Sequence, residues 1–155
     1  MMNHEEAMGE ARVLSKASTC TKRQVGAIVL KDNVVVGSGV NGPPEGVSCP
    51  FGKGSQEEDT VCIHAEERAL EGLKVPSGLS RAESREVEGA SLADTIFSTW
   101  FPCPACMELL AKAGIRLVVF MEEPHPSHVR YDRYAASKRL ASKEGVNMVR
   151  YPPTI

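Results

Sequence analysis

The sequence predicts an α/β protein, a three-layer α/β/α sandwich on a mixed five-stranded sheet. Two apolar, β-branched runs separated by a short polar turn give an antiparallel start, and a strand-helix-strand run further on gives a parallel finish. The 155 residues, 42% hydrophobic and 25% charged, suit one domain over 1–155 with a single sizeable core.

The opening segment, Asn3 to Ser18, puts Ala7, Ala11 and Leu14 on one helical face, with Glu5 and Glu6 near its start and Lys16 near its end. Val25 to Leu30 and Val34 to Val40 read as strands, and Lys31-Asp32-Asn33 between them has hairpin-turn chemistry. Asn41-Gly42-Pro43-Pro44-Glu45-Gly46 cannot continue a strand, and an irregular stretch is expected to about Asp59. A loop of that length points to function.

His64 to Leu73 is rich in helix formers, which sets His64 and Glu66 at a helix N-terminus facing the hairpin's end. Lys74 to Asp94 reads as a connecting excursion, with the charged stretch Arg81 to Glu88 as a short surface helix at most. Thr95 to Thr99, Pro104 to Ala113 and Leu117 to Met121 form a β-α-β unit, with Pro104 in the helix's first turn and Gly114 at its end. Tyr131 to Glu144 is a helix stopped by Gly145, and Val146 to Arg150 is the last strand.

A formal net charge of -2 gives no global basic field, which argues against long nucleic-acid polymers as substrates and leaves a small anionic metabolite open. No apolar run reaches the length of a membrane span, and Met1 to Ser18 lacks the apolar stretch of a signal peptide, so a cytoplasmic location is expected. The five cysteines, Cys20, Cys49, Cys62, Cys103 and Cys106, are odd in number and are expected to be reduced.

The chemistry is concentrated in His64-Ala65-Glu66 and Pro102-Cys103-Pro104-Ala105-Cys106. One histidine and two cysteines form a nitrogen-and-sulfur set suited to zinc, and three protein ligands leave a fourth tetrahedral position for water. Glu66 lies two residues beyond His64, placed to exchange protons with that water without binding the metal. H-x-E followed by P-C-x-x-C resembles the pattern of zinc-dependent nucleobase deaminases, which implies hydrolytic deamination.

Other readings of these residues are weaker. A structural zinc is closed by four ligands, often in two close pairs, whereas here a lone His lies far upstream of one C-x-x-C and is followed by an acid. A redox C-x-x-C leaves His-x-Glu without a role. Glu66 could merely favour its helix N-terminus, the reading kept for Glu67, but its offset from His64 argues for chemistry.

Four segments together are similar to the ordered motifs of deoxycytidylate (dCMP) deaminases. They are Cys20-Thr21-Lys22-Arg23-Gln24-Val25-Gly26-Ala27-Ile28-Val29, Gly39-Val40-Asn41-Gly42-Pro43-Pro44-Glu45-Gly46, Cys62-Ile63-His64-Ala65-Glu66 and Phe101-Pro102-Cys103-Pro104-Ala105-Cys106. The zinc motif marks the wider cytidine deaminase-like superfamily, and the hairpin ending in G-x-N-G-x-P-x-G narrows it. The resemblance implies the cytidine deaminase-like fold, one catalytic zinc on His64, Cys103 and Cys106, and Glu66 as the acid-base residue. It also implies that Asn41 binds the sugar hydroxyl and that the backbone of Ala65 holds the pyrimidine. A homo-oligomer, often a hexamer, and in some members a deoxynucleoside triphosphate effector complete the expectation. The chain departs from the family at Arg68, where Asn is usual, and at Val40, where Tyr is usual.

Arg23 is a candidate for the substrate phosphate, because a guanidinium suits bidentate recognition. Arg68 faces away from Glu66 on a helix and reads either as a phosphate contact or as a surface or interface cation. Some family members hold a second, structural zinc near Cys20 and Cys49, which Cys62 or His4 could complete; ordinary buried thiols are favoured over it. His125 and His128 read as surface residues of a Pro-rich loop, and Trp100 as packing beside the metal loop.

The activity expected is dCMP + water to dUMP + ammonia. The alternatives are a free nucleoside or base, guanine, or RNA adenosine as substrate, and a zinc-stabilised binding module without turnover.

Overall fold

The computed structural model describes residues 2–50, 52, 61–71, 73, 93–128 and 131–152. Most of the expected irregular stretch beyond residue 52 and the connecting excursion 74–92 lie outside the described residues. The described chain runs α1 (His4–Ser15), β1 (Gly26–Lys31), β2 (Val34–Val40), α2 (Ala65–Glu71) and β3 (Thr95–Trp100). It continues with α3 (Pro104–Lys112), β4 (Leu117–Glu122), α4 (Tyr131–Glu144) and β5 (Asn147–Arg150).

Local chemistry sets most of these boundaries. Asn3 caps α1, its side chain accepting from the Glu6 N–H at 2.8 Å, and α1 stops at Ser15, three residues before the expected end. Lys31 extends β1, so the hairpin turn is the pair Asp32 and Asn33, with φ of 50° and 64°. Two left-handed residues in succession match the twist of paired strands, and Asp and Asn accept that backbone at low cost. Gly114 and Gly145, with φ of 93° and 73°, follow α3 and α4 and redirect the chain into β4 and β5.

The sheet order is β2-β1-β3-β4-β5. β1 is antiparallel to both β2 and β3, and β3, β4 and β5 are mutually parallel, so the mixed five-stranded sheet of the sequence reading is observed. α1 covers one face, where Ala7, Met8 and Ala11 pack on Ile28, Leu30, Phe97 and Val119. On the other face Ala65, Ala69 and Leu70 of α2, Met107 and Leu110 of α3 and Ala141 of α4 pack on Val29, Ile96 and Val118. These are the three layers.

Close approach of α2 to the sheet depends on missing side chains in β2. A Cβ on Gly37 would lie 2.3 Å from the Ala69 carbonyl oxygen, and one on Gly39 2.6 Å from the Ala69 nitrogen and 2.7 Å from the Ala65 oxygen. Gly37 and Gly39 are two apart on one strand and therefore share a face. The helix that carries Glu66 rests on that glycine floor.

Among the described residues no helix is long and apolar enough to cross a membrane.

Candidate metal centre and active site

Two helix starts deliver the metal-ligating side chains. Ile63 forms an isolated antiparallel bridge with Gly42, with backbone bonds of 2.7 and 3.1 Å, which ties the residue before His64 to the end of β2. His64 precedes α2, and its carbonyl accepts from Arg68 at 3.1 Å to close the first turn. Cys103 is the N-cap of α3, Pro104 fills the first helical position, and Cys106 is buried one turn on. β3 leads directly into this turn, so the β-α-β unit places both thiols at the parallel strands' C-terminal end.

The resulting cluster fits a tetrahedral ion. His64 Nδ1 is 3.1 Å from Cys106 Sγ and 3.6 Å from Cys103 Sγ, and the three ligand atoms lie within 4.8 Å of one another. Ordinary zinc–nitrogen and zinc–sulfur bonds at a tetrahedral angle put nitrogen and sulfur about 3.6 Å apart. The donor set is soft, and the thiols start a helix whose dipole favours their charged form. Cys103 is held well below the usual thiol range, first by the hydrogen bond from Cys106, and Cys106 is pushed up by that same bond and by burial. A divalent ion at this point would deprotonate both.

Glu66 sits beside the cluster and is buried. Burial pushes its carboxyl above the ordinary carboxylate range, opposed first by the neighbouring His64 and then by a hydrogen bond from the Ser98 hydroxyl to Glu66 Oε1, 2.8 Å long. A carboxyl raised in this way is suited to take up and release a proton within one turnover.

His64, Cys103 and Glu66 line a cleft of about 510 Å³, open solvent included, with Asn41, Ala65, Arg23, Lys22, Trp100 and Tyr134 among its walls. Asn41 is buried and immobilised: its Oδ1 accepts from the Val25 N–H at 2.7 Å and from Ser18 at 2.7 Å, and its Nδ2 donates to the Arg23 carbonyl at 2.7 Å. One Nδ2 hydrogen remains beyond that bond, and Asn41 lines the cleft. The Arg23 guanidinium lies 3.7 Å over the Trp100 ring, and burial lowers its pKa, with Tyr134, Cys20 and Glu122 working in the opposite sense. Trp100 is therefore a wall and a cation platform, a larger role than packing.

Arg68 makes contacts within the chain. Its guanidinium donates to the carbonyls of Gly42 and Pro43, at 3.4 and 3.2 Å, and so ties α2 to the loop that follows Asn41. His125 is exposed and bonded to Ser127, whereas the His128 ring stands edge-on to Tyr134, with centroids 5.8 Å apart.

A second thiol cluster forms beside the cleft. Cys49 Sγ lies 3.9 Å from Cys20 Sγ and 3.7 Å from Cys62 Sγ, and the three could hold a metal ion. Of the two residues considered as completing such a group, Cys62 is present; His4 is instead stacked edge-on against Phe97. All five cysteines are free thiols.

Sequence reasoning missed Ser98, Ser18 and Tyr134. Ser98 carried a readable signal: it shares a face of β3 with Ile96, which is core, so a hydroxyl there demands a partner. Ser18 and Tyr134 carried none, because their roles depend on contacts between elements far apart in sequence.

An open three-ligand metal cluster and an adjacent buried acid, both opening on a cleft of this three-layer sheet, are the parts a zinc-dependent hydrolytic deaminase requires. The family described as the cytidine and deoxycytidylate deaminase zinc-binding region matches residues 1–122. The human deoxycytidylate deaminase is 31% identical over 158 residues, covering 96% of this chain and 79% of that protein. That of Mycobacterium phage D29 is 31% identical over 135 residues, covering 77% and 94%. The dCMP deaminase of cyanophage S-TIM5, solved in complex with dCMP and dUMP, superposes with a TM-score of 0.68 at 25% identity, covering 97% of this chain and 99% of that one. The chain belongs to the cytidine and deoxycytidylate deaminase family, and zinc is its cofactor.

Proposed function

We propose that this enzyme converts dCMP and water to dUMP and ammonia. The observation that carries the proposal is the meeting of His64, Cys103 and Cys106 beside buried Glu66, in a cleft whose walls include two cations, Lys22 and Arg23. His64, Cys103 and Cys106 would hold the zinc, which when bound would supply a Lewis acid that makes a water more acidic. Glu66 is placed to accept a proton from the attacking water and give it to the ring nitrogen as the water oxygen adds to the amine-bearing carbon. It then carries the second proton to the departing amine, so that ammonia leaves and the carbonyl forms.

The remaining residues bind and orient. Asn41, fixed by its three hydrogen bonds, offers its last Nδ2 hydrogen to the sugar hydroxyl, and the backbone of Ala65 borders the ring. Arg23, with Lys22 beside it, meets the 5′-phosphate, a contact of the charge-assisted kind. The named substrates of the phage and human relatives support the same choice. The reading includes a homo-oligomer and a deoxynucleoside triphosphate effector, both supported by the family resemblance alone.

Ammonia release from dCMP, CMP, deoxycytidine, dCTP, cytosine, guanine and RNA adenosine tests the substrate. The expected result is a kcat/KM for dCMP at least about 10-fold above that for deoxycytidine, the value of one charged hydrogen bond. Equal values for the two would refute nucleotide recognition.

A further inference from the structure

Ser98 sits in the middle of β3, paired with Ala27 of β1 on one side and Phe120 of β4 on the other, and has no exposed surface. A hydroxyl at such a position carries a desolvation cost that Ala or Val would not, unless its hydrogen bonds are made. They are made in a particular way. Ser98 Oγ lies 2.8 Å from Glu66 Oε1 and also 2.8 Å from the carbonyl oxygen of Trp100, two residues on in its own strand. Both neighbours present oxygens to a hydroxyl that has one hydrogen to give and lone pairs to accept with.

We propose that Ser98 is a positioning residue for Glu66, its buried hydroxyl holding the carboxyl beside the metal cluster. The contact with Oε1 fixes one oxygen of Glu66, and the contact with the Trp100 carbonyl ties the same hydroxyl to its own strand, so the acid is held to the rigid centre of the sheet. A central strand held on both sides is the rigid support such a task requires. Trp100 is also a wall of the cleft, so the second acceptor belongs to the same local structure.

The inference rests on Glu66 as the acid-base residue, and the test separates the two. Turnover of dCMP by the unaltered enzyme checks the function. Ser98→Ala, Ser98→Val and Ser98→Thr, each loaded with zinc, then check the positioning role. Ala and Val remove the hydroxyl, and Thr keeps it in the shape of Val. Expected is a fall in kcat of roughly 10- to 100-fold for Ala and Val, the effect of one hydrogen bond to a charged group. KM for dCMP and zinc content should stay within about threefold, and Thr should exceed Val in kcat by about 10-fold or more. Ser98→Ala adds no volume, so it reads the role even if the larger side chains disturb β3. Unchanged kcat in Ser98→Ala, or a loss that follows zinc content rather than the hydroxyl, would overturn the proposal while leaving the deaminase reading intact.

Discussion

Glu66→Gln is expected to lower kcat by about 10²- to 10⁴-fold, the usual contribution of a positioned acid-base group, with zinc content unchanged. The substitution keeps the volume of a fully buried side chain and its ability to hydrogen-bond Ser98, so neither packing nor the metal cluster is disturbed. What it removes is the site for the transferred proton. Its amide cannot take a proton from the water or return one to the ring nitrogen and the departing amine. Because the group that could hold the metal is His64, Cys103 and Cys106 and does not include Glu66, elemental analysis of the variant should match the unaltered enzyme. A zinc-stabilised binding module predicts instead that nothing measurable changes, so the ratio of turnover to zinc separates the two accounts.

Cys106→Ala is expected to remove both the metal and the activity. Cys106 is the buried thiol nearest His64, 3.1 Å from its Nδ1, and no described cysteine or histidine beyond His64, Cys103 and Cys106 joins this cluster. Two ligands cannot close an open site that already leaves one position to water. Without the ion the water to be activated loses the acidity the metal would give it, a loss Glu66 alone cannot offset, and turnover should fall by at least about 10⁴-fold. Zinc content and ammonia release measured together should fall together. Full activity with the metal lost would contradict the assignment.

The sequence exposed these two residues because their pattern is local. His64-x-Glu66 and Cys103-x-x-Cys106 sit within a turn of helix each, and Pro104 and Gly114 mark the bounds of α3. The hairpin was legible through Asp32 and Asn33, although Lys31 went to the strand, because an Asx pair tolerates the left-handed backbone of a two-residue turn. What the sequence hid is what depends on convergence. Arg68 faces away from Glu66 as its helical offset requires, but only the fold shows that it reaches the Gly42 and Pro43 carbonyls. Cys20, Cys49 and Cys62 are unremarkable singly, and their sulfurs meet only once the loop after β2 returns to the start of α2. Asn41 was legible as a turn residue with a suggestive place, while the partners that immobilise it come from Ser18, Arg23 and Val25.

The central claim is that this chain hydrolyses the amine of dCMP through a zinc ion. Its most direct test follows dUMP and ammonia from dCMP with the enzyme as purified, after complete metal removal by a chelator, and after zinc is restored. The account predicts equal amounts of the two products from the purified enzyme, no turnover after chelation, and recovery on adding zinc. Undiminished product formation by the metal-free protein would contradict it.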